Sequence, residues 1–170
     1  LYDNNVVYFL NNADDYREAQ NIGVDLADKD MNVVSGLNVI KEAQLDLKNL
    51  LPDGQQGLFY ITASDPAGEG NGDSKLVLVT DIGILLKKGP RELLVWVSSL
   101  KDAMPVAGAT VKVLSKTNQM IVEGQTDENG LMRFTDVDFG KDREPFVVTV
   151  SNGKDMSYLE VSSNTISETD

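Results

Sequence analysis

From Lys75 to Val161 the chain repeats one pattern. Short runs of β-branched and aliphatic residues end in turn signals, at intervals of about 8 to 12 residues. No segment there has helical period. Lys75 to Lys88 holds Leu76-Val77-Leu78-Val79 and Ile82-Gly83-Ile84-Leu85-Leu86. Asp81 and Gly83 interrupt that run, which predicts one kinked strand or two short ones. Gly89-Pro90-Arg91 is a turn. Glu92 to Leu100 places Leu93, Val95 and Val97 on one face and Leu94 and Trp96 on the other. A strand apolar on both faces belongs at the centre of a sheet, and core packing is the expectation for Trp96 rather than a stacking platform. Ala109-Thr110-Val111-Lys112-Val113 alternates, with Ala109, Val111 and Val113 inward. A polar turn, Ser115 to Gln119, leads to a strand over Met120 to Gln125. Asp127-Glu128-Asn129-Gly130 predicts a tight hairpin. Leu131 to Thr135 returns from it with Met132 and Phe134 inward. Asp138 to Glu144 is a charged loop. Phe146 to Val150, a turn at Ser151-Asn152-Gly153-Lys154 and Met156 to Val161 complete the series. About seven strands in about 90 residues predict an all-β sandwich of immunoglobulin-like layout.

The region before Lys75 is less regular. Ser64 to Ser74 contains Pro66, Gly68, Gly70 and Gly72 and no apolar residue beyond Ala67. It reads as a loop or linker. At 170 residues and 18.5 kDa the chain is one domain or two small ones. The expected division is a β domain at 1–65, a Gly-rich linker at 66–75 and a β-sandwich at 76–170. Within the first part, Val6 to Leu10 reads as a strand. Asn12 to Gln20 reads as a short helix capped by Asn12 or Asp14. Ile22 to Leu26 alternates as a strand does, and Asn32 to Ile40 is apolar without a decisive period. Ala43 to Leu47 alternates into a turn at Lys48 to Leu51, closed by Pro52-Asp53-Gly54. Gly57 to Ala63 is a strand. A second β domain, truncated at its start and admitting one short helix, fits this order.

The chain contains no His and no Cys. That excludes Ser-His-Asp and Cys-His catalysis, zinc sites of His and Cys, thiol redox chemistry and disulfides. Fifteen cations against 27 anions give a net charge of −12, which opposes nucleic acid and anionic lipid as partners. A solvated acidic surface accounts for the charge. No apolar run approaches the roughly 18 residues of a membrane span. The start, Leu1 to Asn5, has neither an initiator Met nor a signal-peptide pattern, so a segment of a longer protein is expected. Asp25, Asp28 and Asp30 are the best acidic cluster for calcium, but their spacing is not that of a calcium loop. Gly68-Glu69-Gly70-Asn71-Gly72 resembles a phosphate loop only in glycine count. No pair among the 27 acids is marked for glycoside hydrolysis, and no Asn-x-Ser/Thr acceptor occurs. No catalytic, cofactor-binding or metal residue is therefore assigned, no cofactor is expected, and the chain itself is expected not to be an enzyme.

One stretch points to a family. Leu93 to Val111 reads as a strand followed by Pro105-Val106-Ala107-Gly108-Ala109-Thr110-Val111. It continues to Gly124-Gln125-Thr126-Asp127-Glu128-Asn129-Gly130-Leu131-Met132-Arg133-Phe134. Many extracellular β-sandwich modules share this pattern. Gly57 to Ser64 resembles the closing strand of a macroglobulin-type domain, Val79 to Ile84 the opening of the next, and Phe146 to Val150 with Ser157-Tyr158-Leu159 its end. In this order the segments resemble two consecutive domains of the bacterial α-2-macroglobulin family, well over 57–163 and weakly over 1–56. The resemblance implies a large extracytoplasmic parent, periplasmic or envelope-bound, built of many such domains. Its members trap proteases through a bait segment, and many carry a Cys-x-Glu-Gln thioester. This chain has no Cys and no recognisable bait, so no functional residue carries over. The resemblance thus implies a scaffold segment of a protease inhibitor. Its partners are neighbouring domains of the parent and, through the parent, target proteases. The sandwich pattern by itself also fits a tandem immunoglobulin-like module of a surface adhesin or other envelope protein.

Overall fold

The computed structural model describes residues 3–11, 23–32, 39–40, 42–51, 55–65, 72–140 and 143–161. Its elements are one helix, α1 (Asp3–Asn11), a 3-10 turn at Leu47–Asn49, and nine strands. The strands are β1 (Gly57–Ser64), β2 (Gly72–Val79), β3 (Ile82–Lys88), β4 (Leu93–Ser99), β5 (Thr110–Ser115), β6 (Met120–Gln125), β7 (Leu131–Phe134), β8 (Pro145–Asn152) and β9 (Asp155–Glu160). They form three antiparallel sheets, ordered β1-β2, β3-β4-β7 and β6-β5-β8-β9.

The three-stranded and four-stranded sheets face each other as a sandwich. Alternation decides what lies between them. Val95 and Val97 of β4, Ala109, and Val111 and Val113 of β5 are wholly buried, and they pack with Ile82, Leu93, Ile121, Phe134, Val137, Val148 and Val150. Each of these side chains larger than alanine contributes about 1.5–3 kcal/mol by leaving water. The predicted central strand is central: β4 lies between β3 and β7. The predicted run from Lys75 to Lys88 resolves into two strands, β2 and β3, broken at Thr80-Asp81.

The turn at Asp127–Gly130 forms where expected, but it does not close a hairpin. β6 and β7 lie in different sheets, so the turn carries the chain across the sandwich. Asp127 holds it, its Oδ1 accepting from Asn129 N at 2.9 Å and Leu131 N at 2.8 Å. Gly130 alone in this turn has positive φ, at 71°. Periodicity identifies strands and turns; it does not say which strands pair.

The four-stranded sheet is covered on its other side by the chain's own start. The expected strand over Val6 to Leu10 is helix α1. Val6, Val7 and Leu10 share one helical face, and Val6 and Val7 are buried against Leu114, Val147 and Met156. An apolar run of five residues has no period of its own, and tertiary packing decides its conformation. Asn11 Nδ2 ties the helix end to the Lys116 carbonyl at 3.2 Å. The helix expected over Asn12–Gln20 lies outside the described residues, as do most of Asn32–Ile40 and the Pro52-Asp53-Gly54 closure.

The strand expected over Ile22 to Leu26 is not formed where it is described. Residues 23–32 are irregular, and Val24 and Leu26 are 83% and 46% exposed. Alternation without a partner strand makes no ladder. Ala43 to Asp46 is likewise irregular, whereas the turn after it is present, with Leu50 N and Leu51 N donating to the Leu47 carbonyl. The strands flanking the Gly-rich stretch pair with each other over eight residues, from Gly57↔Val79 to Ser64↔Gly72.

Candidate functional site: the junction around Asp155

The β1-β2 ribbon is too small to stand alone in water. It rests on the sandwich through two sets of contacts. The first is apolar: Leu58, Tyr60, Leu76 and Leu78 pack with Tyr158 of β9. Tyr158 also borders the cluster beneath helix α1. One aromatic side chain thus touches both layers that cover the four-stranded sheet.

The second set is polar and centres on Asp155, the first residue of β9, which is 9% exposed. Its carboxylate is held by three donors from distant segments. Thr80 Oγ1 donates to Oδ1 at 2.7 Å. Asp81 N and Gln56 Nε2 donate to Oδ2 at 2.9 and 2.8 Å. Thr80 Oγ1 also accepts from Ile82 N at 2.9 Å. Asp81 extends the network to the end of β4, accepting from Ser99 Oγ and from Lys101 N, both at 2.8 Å. A buried carboxylate is tolerated only when such donors surround it. Among the described residues no buried side-chain polar atom lacks a partner.

The arrangement is mechanical in character. One carboxylate fixes the approach to β1, the β2–β3 connection and the β8–β9 hairpin relative to one another. Charge-assisted hydrogen bonds of this kind are directional and strong. Burial, and secondarily the charge of Glu160, hold the Tyr158 phenol above the ordinary tyrosine value of 10.0. The folded state therefore favours the neutral phenol. That contribution to stability is complete below pH 10.0 and declines as pH rises through the folded value. Tyr158→Phe is expected to flatten the alkaline limb of stability relative to the parent chain. Urea midpoints for both proteins between pH 8 and 11 measure this, and parallel limbs would refute it.

The sequence-level candidates are not brought together. Asp25, Asp28 and Asp30 lie on the exposed irregular segment 23–32. Among the described residues no group of three or more Asp and Glu is placed to hold a metal ion. Gly72 opens strand β2 rather than a helix, and Gly68 to Asn71 lie outside the described residues. Trp96, expected in the core, is 41% exposed on the outer face of β4, with Nε1 donating to the Asn129 carbonyl at 3.2 Å. No described helix is long and apolar enough to cross a membrane. Sequence reasoning missed Asp155. The available signal was a carboxylate opening a strand directly after the Asn152-Gly153-Lys154 turn, beside an apolar residue, Met156, that packs beneath helix α1.

Seven antiparallel strands in two sheets, with a ribbon locked to one end, define a segment of macroglobulin-type β-sandwich architecture. The family model of the bacterial alpha-2-macroglobulin MG3 domain matches residues 79–170, and the chain belongs to the bacterial α-2-macroglobulin family. The chain is 31% identical over 127 residues to an alpha-2-macroglobulin homolog of Yersinia pestis, a match covering 64% of this chain and 6% of that protein. It is 31% identical over 93 residues to the alpha-2-macroglobulin of Pasteurella multocida, covering 52% and 5%. It therefore spans only a small fraction of these relatives. A crystal structure of native alpha-2-macroglobulin from Escherichia coli spanning domains NIE-MG1 superimposes with a TM-score of 0.70. That match has 15% identity and covers 95% of this chain and 79% of the solved one. The likeness shows a shared fold.

Proposed function

We propose that the chain is a non-catalytic scaffold segment of a large protease inhibitor of this family. It holds the relative placement of neighbouring parts of the parent and contains neither bait nor thioester. The observation that carries this is the Asp155 junction. A carboxylate buried among three donors from two distant segments ties those segments to the β8–β9 hairpin and so fixes geometry. The family membership supports the inhibitor role and an extracytoplasmic location, periplasmic or at the cell envelope, in a parent with further domains. Target proteases would meet the parent rather than this segment. The two-domain division, 1–65 and 76–170 with 66–75 between, is kept as part of the proposal. Within that division the β1-β2 ribbon bridges the linker, since β2 begins at Gly72 and pairs with β1.

Limited proteolysis tests the scaffold role. Trypsin, elastase, subtilisin and thermolysin should cut the chain only before Gln55 or within the Gly-rich stretch, leaving 82–161 intact. A preferred cut shared by all four inside 82–161 would mean that the sandwich carries a bait and would overturn the proposal.

A further inference from the structure

The two sheets of the sandwich are treated differently on their outer faces. The four-stranded sheet is covered by helix α1 and meets the ribbon through Tyr158. The three-stranded sheet has no such cover among the described residues. Its outward positions are set by register. Leu85 of β3 pairs with Trp96 of β4, and Trp96 pairs with Leu131 of β7. These three residues form one row across the whole sheet. The next row is Lys87, Leu94 and Arg133. On the other side of the first row, Leu100 lies over Gly83.

Leu85 is 53%, Trp96 41% and Leu100 65% exposed. Scattered exposed apolar residues need no explanation, but a contiguous row with a polar rim marks an interaction surface. A large, half-exposed Trp at its centre has the composition of an interface anchor. The rim is also distinctive. In a chain of net charge −12, the outward ladder positions of this sheet hold two cations, Lys87 and Arg133, and no carboxylate. Arg133 meets Glu92 from the loop before β4 at 3.7 Å, an exposed pair of little strength.

We infer that the outer face of β3-β4-β7 docks another domain of the same parent chain, one that presents an apolar patch with an acidic rim. The inference rests on the scaffold function proposed above. Two observations choose this occupant. The matches cover only 6% and 5% of the length of the curated relatives, so most of such a parent lies outside this chain. A second copy of this face is the poorer partner, because two-fold pairing would bring the Lys87 and Arg133 rows of the two copies to one interface. The docked domain would cover Trp96, the one tryptophan of the chain, and meet the two cations with carboxylates.

The test uses the full-length parent with Leu85→p-benzoylphenylalanine, an exposed position where the photoreactive group fits without disturbing the core. Irradiation and then peptide mass spectrometry are expected to join position 85 to a peptide from another domain at unchanged monomer mass. Lys87→Glu with Arg133→Glu, added to the same protein, is expected to lower that yield severalfold. A cross-link at dimer mass, joining two copies of this face, would overturn the inference. So would a long parent that yields no cross-link at position 85. Both outcomes leave the scaffold function standing. A natural gene product no longer than this chain would overturn the scaffold function and the inference together.

Discussion

Gly130→Ala is expected to destabilise the sandwich by about 4 kcal/mol, from a strained backbone angle and an overlap with backbone atoms acting together. The φ of 71° at Gly130 is the first reason. Alanine in that region costs about 1–2 kcal/mol. The second is space. A Cβ there would overlap the Val97 carbonyl oxygen and lie 3.1 Å from both Pro105 Cβ and Val106 N. These are mainly backbone atoms inside the sheet edge, and they cannot retreat. Val97 N donates to the Gly130 carbonyl at 2.8 Å, while Val106 N donates to the Val97 carbonyl at 3.0 Å, so the three segments are stitched together. Gly124→Ala is the control. Its Cβ would meet the thioether end of Met132, which can move, and the expected loss is about 1 kcal/mol. Urea denaturation monitored by circular dichroism measures both. Equal losses for the two variants would mean that flexible and backbone neighbours are not distinguished, contrary to the packing around these two glycines.

Asp155→Ala is expected to cost about 3 kcal/mol, because the donors of Thr80, Asp81 and Gln56 lose their acceptor at a buried position. Asp155→Asn keeps one acceptor oxygen and should lose about half as much. The alanine variant should also loosen the ribbon before the sandwich unfolds. Amides of β1 and β2 should then exchange faster in deuterium oxide while those of β4 and β5 keep their protection. If Asp155→Ala left the β1 and β2 amides as protected as before, the carboxylate would not be what couples the ribbon to the sandwich.

Strands β3 to β9 were legible because alternation and turn residues are local signals and agree with each other there. Ala109, Val111 and Val113 point inward as their spacing predicts. The side of Trp96 was not legible. A strand apolar on both faces carries no mark of which face is the core, and partner strands settle it. The pairing of β7 with β4 rather than β6 is equally non-local. Helix α1 shows propensity overridden by packing, since Val6 and Val7 favour strands but fit the outer groove of the four-stranded sheet. The Asp155 network joins residues separated by 74, 75 and 99 positions, and no window along the sequence contains it. The absences of His and Cys bounded the chemistry without locating anything.

Helix α1 also imposes an order of events during synthesis. Val6 and Val7 leave the ribosome well before Val147 and Met156, which belong to the surface that buries them. At about 5–20 residues per second, the nascent helix waits on the order of ten seconds for its seat. A nine-residue helix is not stable alone over that interval. Two adjacent valines therefore remain open to solvent until β8 and β9 arrive, and helix α1 needs shelter while this stretch of chain is being made.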